Sequence, residues 1–151
     1  MALGVEQPAT EAISFRSREE AKEVIDRTFE LVEGDEKLAP VLAAAGLSER
    51  LELSDLDLTV ELSAGSGNDR LEWSFSDPPP LEPKISLTMD SDVANSILQG
   101  AESIGVAIAR RRIRVRGDAG AVLVHLPATR LIARHYRDLI ERDYPHLVVA
   151  G

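Results

Sequence analysis

The 151-residue sequence contains no cysteine, which excludes disulfides, thiolate metal sites, iron–sulfur clusters and cysteine nucleophiles. Aromatic residues make up only 4% and acids outnumber bases by 26 to 17. A nucleic-acid partner is therefore not expected, because it calls for basic surface and stacking platforms. No apolar run approaches the ~18 residues of a membrane span, since Val41 to Leu47 and Ala119 to Val124 both stop early. The first fifteen residues carry neither a basic start nor a continuous hydrophobic stretch, so no secretory signal is read and the cytoplasm is the expected compartment. Histidine is scarce too. His125, His135 and His146 are the only three, and no two share the i, i+4 spacing of a helical metal pair, so neither a metal nor a cofactor is expected.

What is present fits a single globular core: 44% hydrophobic and 28% charged residues in a chain of one-domain length. The excess acid is confined to the N-terminal part, where residues 1–62 hold 15 Asp/Glu against 6 Lys/Arg and residues 63–151 hold 11 of each.

Periodicity assigns the elements. Residues 1–14 lack it and read as a flexible leader, with a helical N-terminal extension over 15–48 and the main domain over 49–151. Ser17-Arg18-Glu19-Glu20 fits a capping box. It opens a helix over 17–33 with Ala21, Val24, Ile25, Thr28, Leu31 and Val32 on one stripe and Gly34 as the stop. A short helix is expected over 35–45. From Arg50 the period becomes two, which predicts one strand through Leu62 with a bulge at Ser54-Asp55. Gly65 to Asp69 is a turn into a strand at Leu71, Trp73 and Phe75, and Pro78-Pro79-Pro80 is a loop before a third antiparallel strand at Ile85, Leu87 and Met89. Asp90 or Ser91 caps a helix ending at Gly100, a helical stretch follows over 104–109, and Ile113 and Val115 alternate with arginines in another strand. Pro127 suits the first turn of a last helix running to about Arg142. The fold class is α+β.

The run Ile85-Ser-Leu-Thr-Met-Asp90, a capped helix ending Ile97-Leu98-Gln99-Gly100, then Ala107, then Ile113-Arg-Val-Arg-Gly117-Asp118 resembles the sterol carrier protein type 2 (SCP2-like) lipid-binding family. With the strands upstream, the resemblance spans most of residues 50–126. Arg111 departs from it, since the family commonly has glycine at that corner. The acidic N-terminal helix and the long final helix are more similar to the longer bacterial members than to the stand-alone animal carrier. The resemblance implies a five-stranded, mostly antiparallel sheet covered by helices. It also implies an apolar cavity between the layers that accepts a fatty acyl, sterol-like or polyketide-like molecule for transport, without covalent chemistry. On this reading Leu71, Trp73, Phe75, Ile85, Leu87, Met89, Ile113 and Val115 form the apolar sheet face, and Ile97, Leu98, Ile104, Val106 and Ile108 roof it. The same residues would equally make a solid core.

Chemistry beyond binding has little support. Ser91, His125 and Asp118 can be assembled into a triad only on paper, because no nucleophile elbow surrounds any serine, and Gly117/Gly120 lacks the rest of a phosphate loop. His135 reads as a hydrogen-bonded interior residue and Asp118 as a turn residue. An enzyme or accessory protein acting on an apolar substrate in the same cavity is the alternative, with His125, His135, Asp118 or Tyr136 as acid or base. The one strong charge cluster is Arg110 to Arg112 with Arg114 and Arg116. It is either a solvated strand face or, through Arg110, Arg112 and Arg114, a contact for a ligand headgroup or an anionic membrane.

Overall fold

The computed structural model describes residues 13–64, 70–75 and 83–149, without the side chains at 119 and 123–125. The expected turn at 65–69, the triple-proline loop and leader residues 1–12 lie outside the described residues. Helix α1 spans Arg18–Glu33, with the Ser17 hydroxyl accepting from the Glu20 amide at 3.0 Å. The Glu20 carboxylate reaches back to the Arg16 amide at 3.0 Å instead of to Ser17. Its buried stripe is Ala21, Val24, Ile25, Thr28, Phe29 and Val32. Leu31, expected on that stripe, is exposed because it lies to the side of the line through 21, 25, 28 and 32. Helix α2 is only Ala39–Ala44, shorter than expected, because Pro40 sits at its first turn and the preceding residues form a turn.

The long strand expected through Leu62 is in fact two. β1 spans Ser48–Leu53 and β2 spans Leu58–Ala64. They are antiparallel, joined by a 3-10 turn over Ser54–Leu56 and by Asp57 in the left-handed region at φ 51°. The phase slip at Ser54-Asp55 is thus the signature of a hairpin and not of a bulge. β3 (Leu71–Ser74) pairs antiparallel with β2, as expected. β4 (Ile85–Met89) does not continue that meander. It pairs parallel with β1 on the other side, giving the order β3-β2-β1-β4-β5, with β5 (Ile113–Gly117) antiparallel to β4. The five-stranded, mostly antiparallel sheet implied by the resemblance is present.

Helices α3 (Ser91–Leu98) and α4 (Ile104–Ala109) lie between β4 and β5, and α5 runs over Ala119–Asp143. Pro127 is inside α5 and not in its first turn, because Asp118 starts the helix by accepting from the Gly120 amide at 3.1 Å. Gly117 just before it has φ +123°, and a Cβ there would stand 2.4 Å from the Lys84 carbonyl oxygen. Only glycine allows β5 to end this close to β4.

Register divides the sheet cleanly. Leu51, Leu53, Leu58, Val60, Leu62, Leu71, Trp73, Leu87, Met89, Ile113 and Val115 share the helix-covered face, while the Arg50–Glu61 pair at 2.6 Å and the Thr88–Glu52 hydrogen bond mark the other. All the buried apolar helix residues pack with the first face into one core.

Candidate ligand cavity

Between that sheet face and the helices lies a cavity of about 50 Å³, with about 580 Å³ of empty space when its open mouth is counted. The cavity itself has room for a few water-sized groups. The floor is Leu51, Val60, Leu62, Leu87 and Met89 from the three central strands. The walls are Ala94, Ile97 and Leu98 of α3, Ile104 of α4, Phe29 of α1, and Thr129 and Ile132 of α5. A smaller recess of about 10 Å³ shares Leu87, Ile104 and Thr129 and extends to Ile85, Val122 and Leu126.

One residue common to both spaces is a carboxylate. Glu49 has the same strand phase as Leu51 and Leu53, so β1 turns it toward the helices and away from water. Part of its surface stays uncovered because it fronts the cavity. Burial among apolar side chains pushes its carboxyl up to about 7, since low dielectric disfavours the charged form. Sequence reading missed Glu49, although its spacing from Leu51 and Leu53 was the signal that an acid occupied an inward position.

Of the thirteen residues expected to hold a ligand, Leu87, Met89, Ile97, Leu98 and Ile104 line the cavity and Ile85 lines the recess. Leu71, Ile113, Val115, Phe75 and Ile108 belong to the surrounding core. Val106 is 45% exposed and faces away from the cavity. Trp73 packs edge-on against Phe29 at 5.6 Å between ring centroids and donates its indole N–H to Asp26 at 2.8 Å. It therefore touches the cavity only through Phe29, a wall residue not singled out from the sequence.

Of the alternative acid–base residues, His135, Tyr136 and Asp118 are described, and each is engaged with a different partner. His135 Nε2 lies 3.0 Å from Asp35 Oδ2, and that hydrogen bond holds the Asp35 carboxyl below its ordinary range. Tyr136 is fully buried, where it donates to Asn95 Oδ1 at 2.6 Å, and burial pushes its phenol up. Asn95 and Gln99 in turn donate to the Leu147 carbonyl, and Asn95 also to that of Ile13. This satisfied network ties both ends of the described chain to α3 and α5. Asp118 caps α5 as above, and the His125 side chain lies outside the described residues. The arginines also separate. Arg112 pairs with Glu102 at 2.5 Å and with Asp92 at 3.5 Å; Arg110 and Arg114 are exposed, with no ion pair to a described residue. No group of three metal-ligating side chains occurs among the described residues, and no described helix is long and apolar enough to cross a membrane.

A mixed five-stranded sheet in this order, with helices covering one face, defines an α+β single-sheet domain. The particular fold is that of sterol carrier protein 2 domains. The chain superposes on "UbiJ-SCP2 Ubiquinone synthesis protein" with a TM-score of 0.56 and 12% identity, covering 74% of this chain and 93% of that one. On a protein described as sterol carrier protein 2 the values are 0.54 and 13%, covering 77% and 95%. On a conserved protein from Thermus thermophilus, put forward as a sterol carrier protein, they are 0.53 and 14%, covering 78% and 87%. At these identities the likeness is one of fold. No protein-family model and no curated protein matches the sequence.

Proposed function

We propose that this protein binds an apolar small molecule in the cavity between sheet and helices, holding it by contact and desolvation without covalent chemistry. The observation that carries this reading is the wall itself: apolar side chains from three strands and three helices, Phe29 of α1, the Thr129 side chain and a single carboxylate around a space that opens outward. A close-packed interior leaves few voids larger than a water. Folds shared with a protein described as sterol carrier protein 2 and with a ubiquinone synthesis protein support a lipid-like or sterol-like guest. Binding is expected to be passive, because no second acid or base among the described side chains fronts the cavity.

Delivery would involve transient contact with an anionic membrane through the exposed Arg110 and Arg114, while Arg112 is held by its acids. Native mass spectrometry of protein purified without detergent tests the central reading. A co-purifying apolar molecule is expected, and its addition should raise Tm in proportion to RT ln(1 + [L]/Kd). If nothing co-purifies and a panel of alcohols, acyl esters and sterols leaves both Tm and Trp73 emission unchanged, the reading is wrong.

A further inference from the structure

Among the described residues, no charged side chain shares the environment of Glu49. Leu62 faces it from β2, Ile85 and Leu87 from β4, Ile104 from α4, and Val122, Leu126 and Thr129 from α5. None of these ionises, and no described side chain hydrogen-bonds or ion-pairs with its carboxyl. The other inward positions of β1, Leu51 and Leu53, carry hydrocarbon, and the ion pair of Arg50 with Glu61 lies on the opposite face of the sheet. A carboxyl placed among aliphatics costs desolvation free energy unless something hydrogen-bonds to it. Structural acids elsewhere in this protein have such partners: Asp26 has the Trp73 indole and Asp55 has the amide and hydroxyl of Ser91. Glu49 has empty space instead, at the point where the cavity and its recess meet.

The geometry points to Glu49 as the anchor for the polar end of the ligand, so that the preferred guest is an apolar amphiphile ending in a hydrogen-bond donor, an alcohol or an amine. This deepens the binding reading above and rests on it. An alcohol donates to the carboxylate and can also accept from the protonated acid; an ammonium group forms a charge-assisted hydrogen bond with the carboxylate. A guest ending in a carboxylate would place two anions together at low dielectric and is disfavoured.

Titration calorimetry at pH 8 with octylamine, octan-1-ol and octanoate tests this on wild type, Glu49→Gln and Glu49→Leu. Wild type should bind octylamine and octan-1-ol at least about tenfold more tightly than octanoate, an ordinary margin for one charge-assisted hydrogen bond. Both variants should bind the octyl chain but lose that ranking. Equal binding of the three probes by wild type, tighter octanoate binding, or a ranking that survives in both variants overturns the anchor and leaves the cavity standing. Failure of all three proteins to bind any probe would instead remove the cavity reading beneath it. Should one variant not fold, the wild-type ranking still decides.

Discussion

Glu49 stands directly across from Leu62 in the antiparallel pairing of β1 with β2. That register puts a carboxyl into a row of aliphatic side chains on the covered face of the sheet. Moving β1 by one residue would send Glu49 to solvent, but it would also expose Leu51 and Leu53. The hydrophobic pattern of the strand therefore holds the acid in place, and its desolvation cost is borne by the packing around it.

Stability should accordingly depend on pH in a particular direction. The folded Glu49 carboxyl titrates at about 7 against an ordinary 4.5, so between these values the native state holds a proton that the unfolded chain has released. Rising pH then destabilises the fold, by roughly 3 kcal/mol at most once pH exceeds 7. Urea unfolding at pH 5 and pH 8 checks this. The difference in stability between Glu49→Gln and wild type should grow in favour of the variant as pH rises. Parallel profiles would show that the carboxyl is not desolvated in solution.

Much of this architecture was legible in the pattern of residues. The Ser17 cap, the Leu71 to Trp73 strand, the Gly100 stop and the Ile113 to Val115 alternation all follow from local chemistry, and each element stands where that chemistry puts it. The parallel pairing of β4 with β1 was not legible, because alternation specifies which face is buried and says nothing about which neighbour a strand takes. Nor could periodicity show that Trp73 is taken up by Asp26 and Phe29. Glu49 was within reach, since an acid in phase with Leu51 and Leu53 breaks the pattern at an inward position.

Arg111 occupies a site that chemistry reserves for glycine. It follows α4 with φ 60°, its amide bonded to the Ile108 carbonyl at 3.0 Å and the Arg112 amide to the Ala107 carbonyl at 2.8 Å. The same cap closes α3, but there Gly100 holds the left-handed position at φ 80°. A side-chain-bearing residue pays ~1–2 kcal/mol in that region. Arg111→Gly should therefore raise stability by about 1 kcal/mol, read from the urea midpoint at unchanged slope, whereas Gly100→Ala should lower it. A destabilised Arg111→Gly protein would mean that the guanidinium makes a contact that outweighs the strain.

The arginines of this corner are not equivalent. Replacing Arg112 with glutamine leaves Glu102, whose side chain is only 12% exposed, and Asp92 without their cation, at an expected cost of about 1–2 kcal/mol. Arg110→Gln with Arg114→Gln should stay within about 0.5 kcal/mol of wild type, as exposed substitutions do. That double variant should instead bind anionic vesicles more weakly at low salt. Equal vesicle binding would discard the membrane contact.

Two phenylalanine substitutions separate a ligand cavity from ordinary core. Leu51 lines the floor of the cavity, while Val115, paired with Leu87 one strand further out, lies beyond its wall and packs against the core. A ring at position 51 has the cavity of about 50 Å³ to enter. Leu51→Phe should therefore melt within a few degrees of wild type and bind octan-1-ol at least about tenfold less tightly, because ring and guest compete for one space. Val115 is half-buried with its inner side against the core, where a larger ring overpacks at a cost of ~1–3 kcal/mol. Val115→Phe should melt earlier, by roughly 2–4 °C per kcal/mol in a domain of this size, with octan-1-ol affinity unchanged. The two variants thus move Tm and affinity in opposite combinations. If Leu51→Phe loses stability as Val115→Phe does and leaves octan-1-ol binding intact, the space beside Leu51 is not where the guest sits.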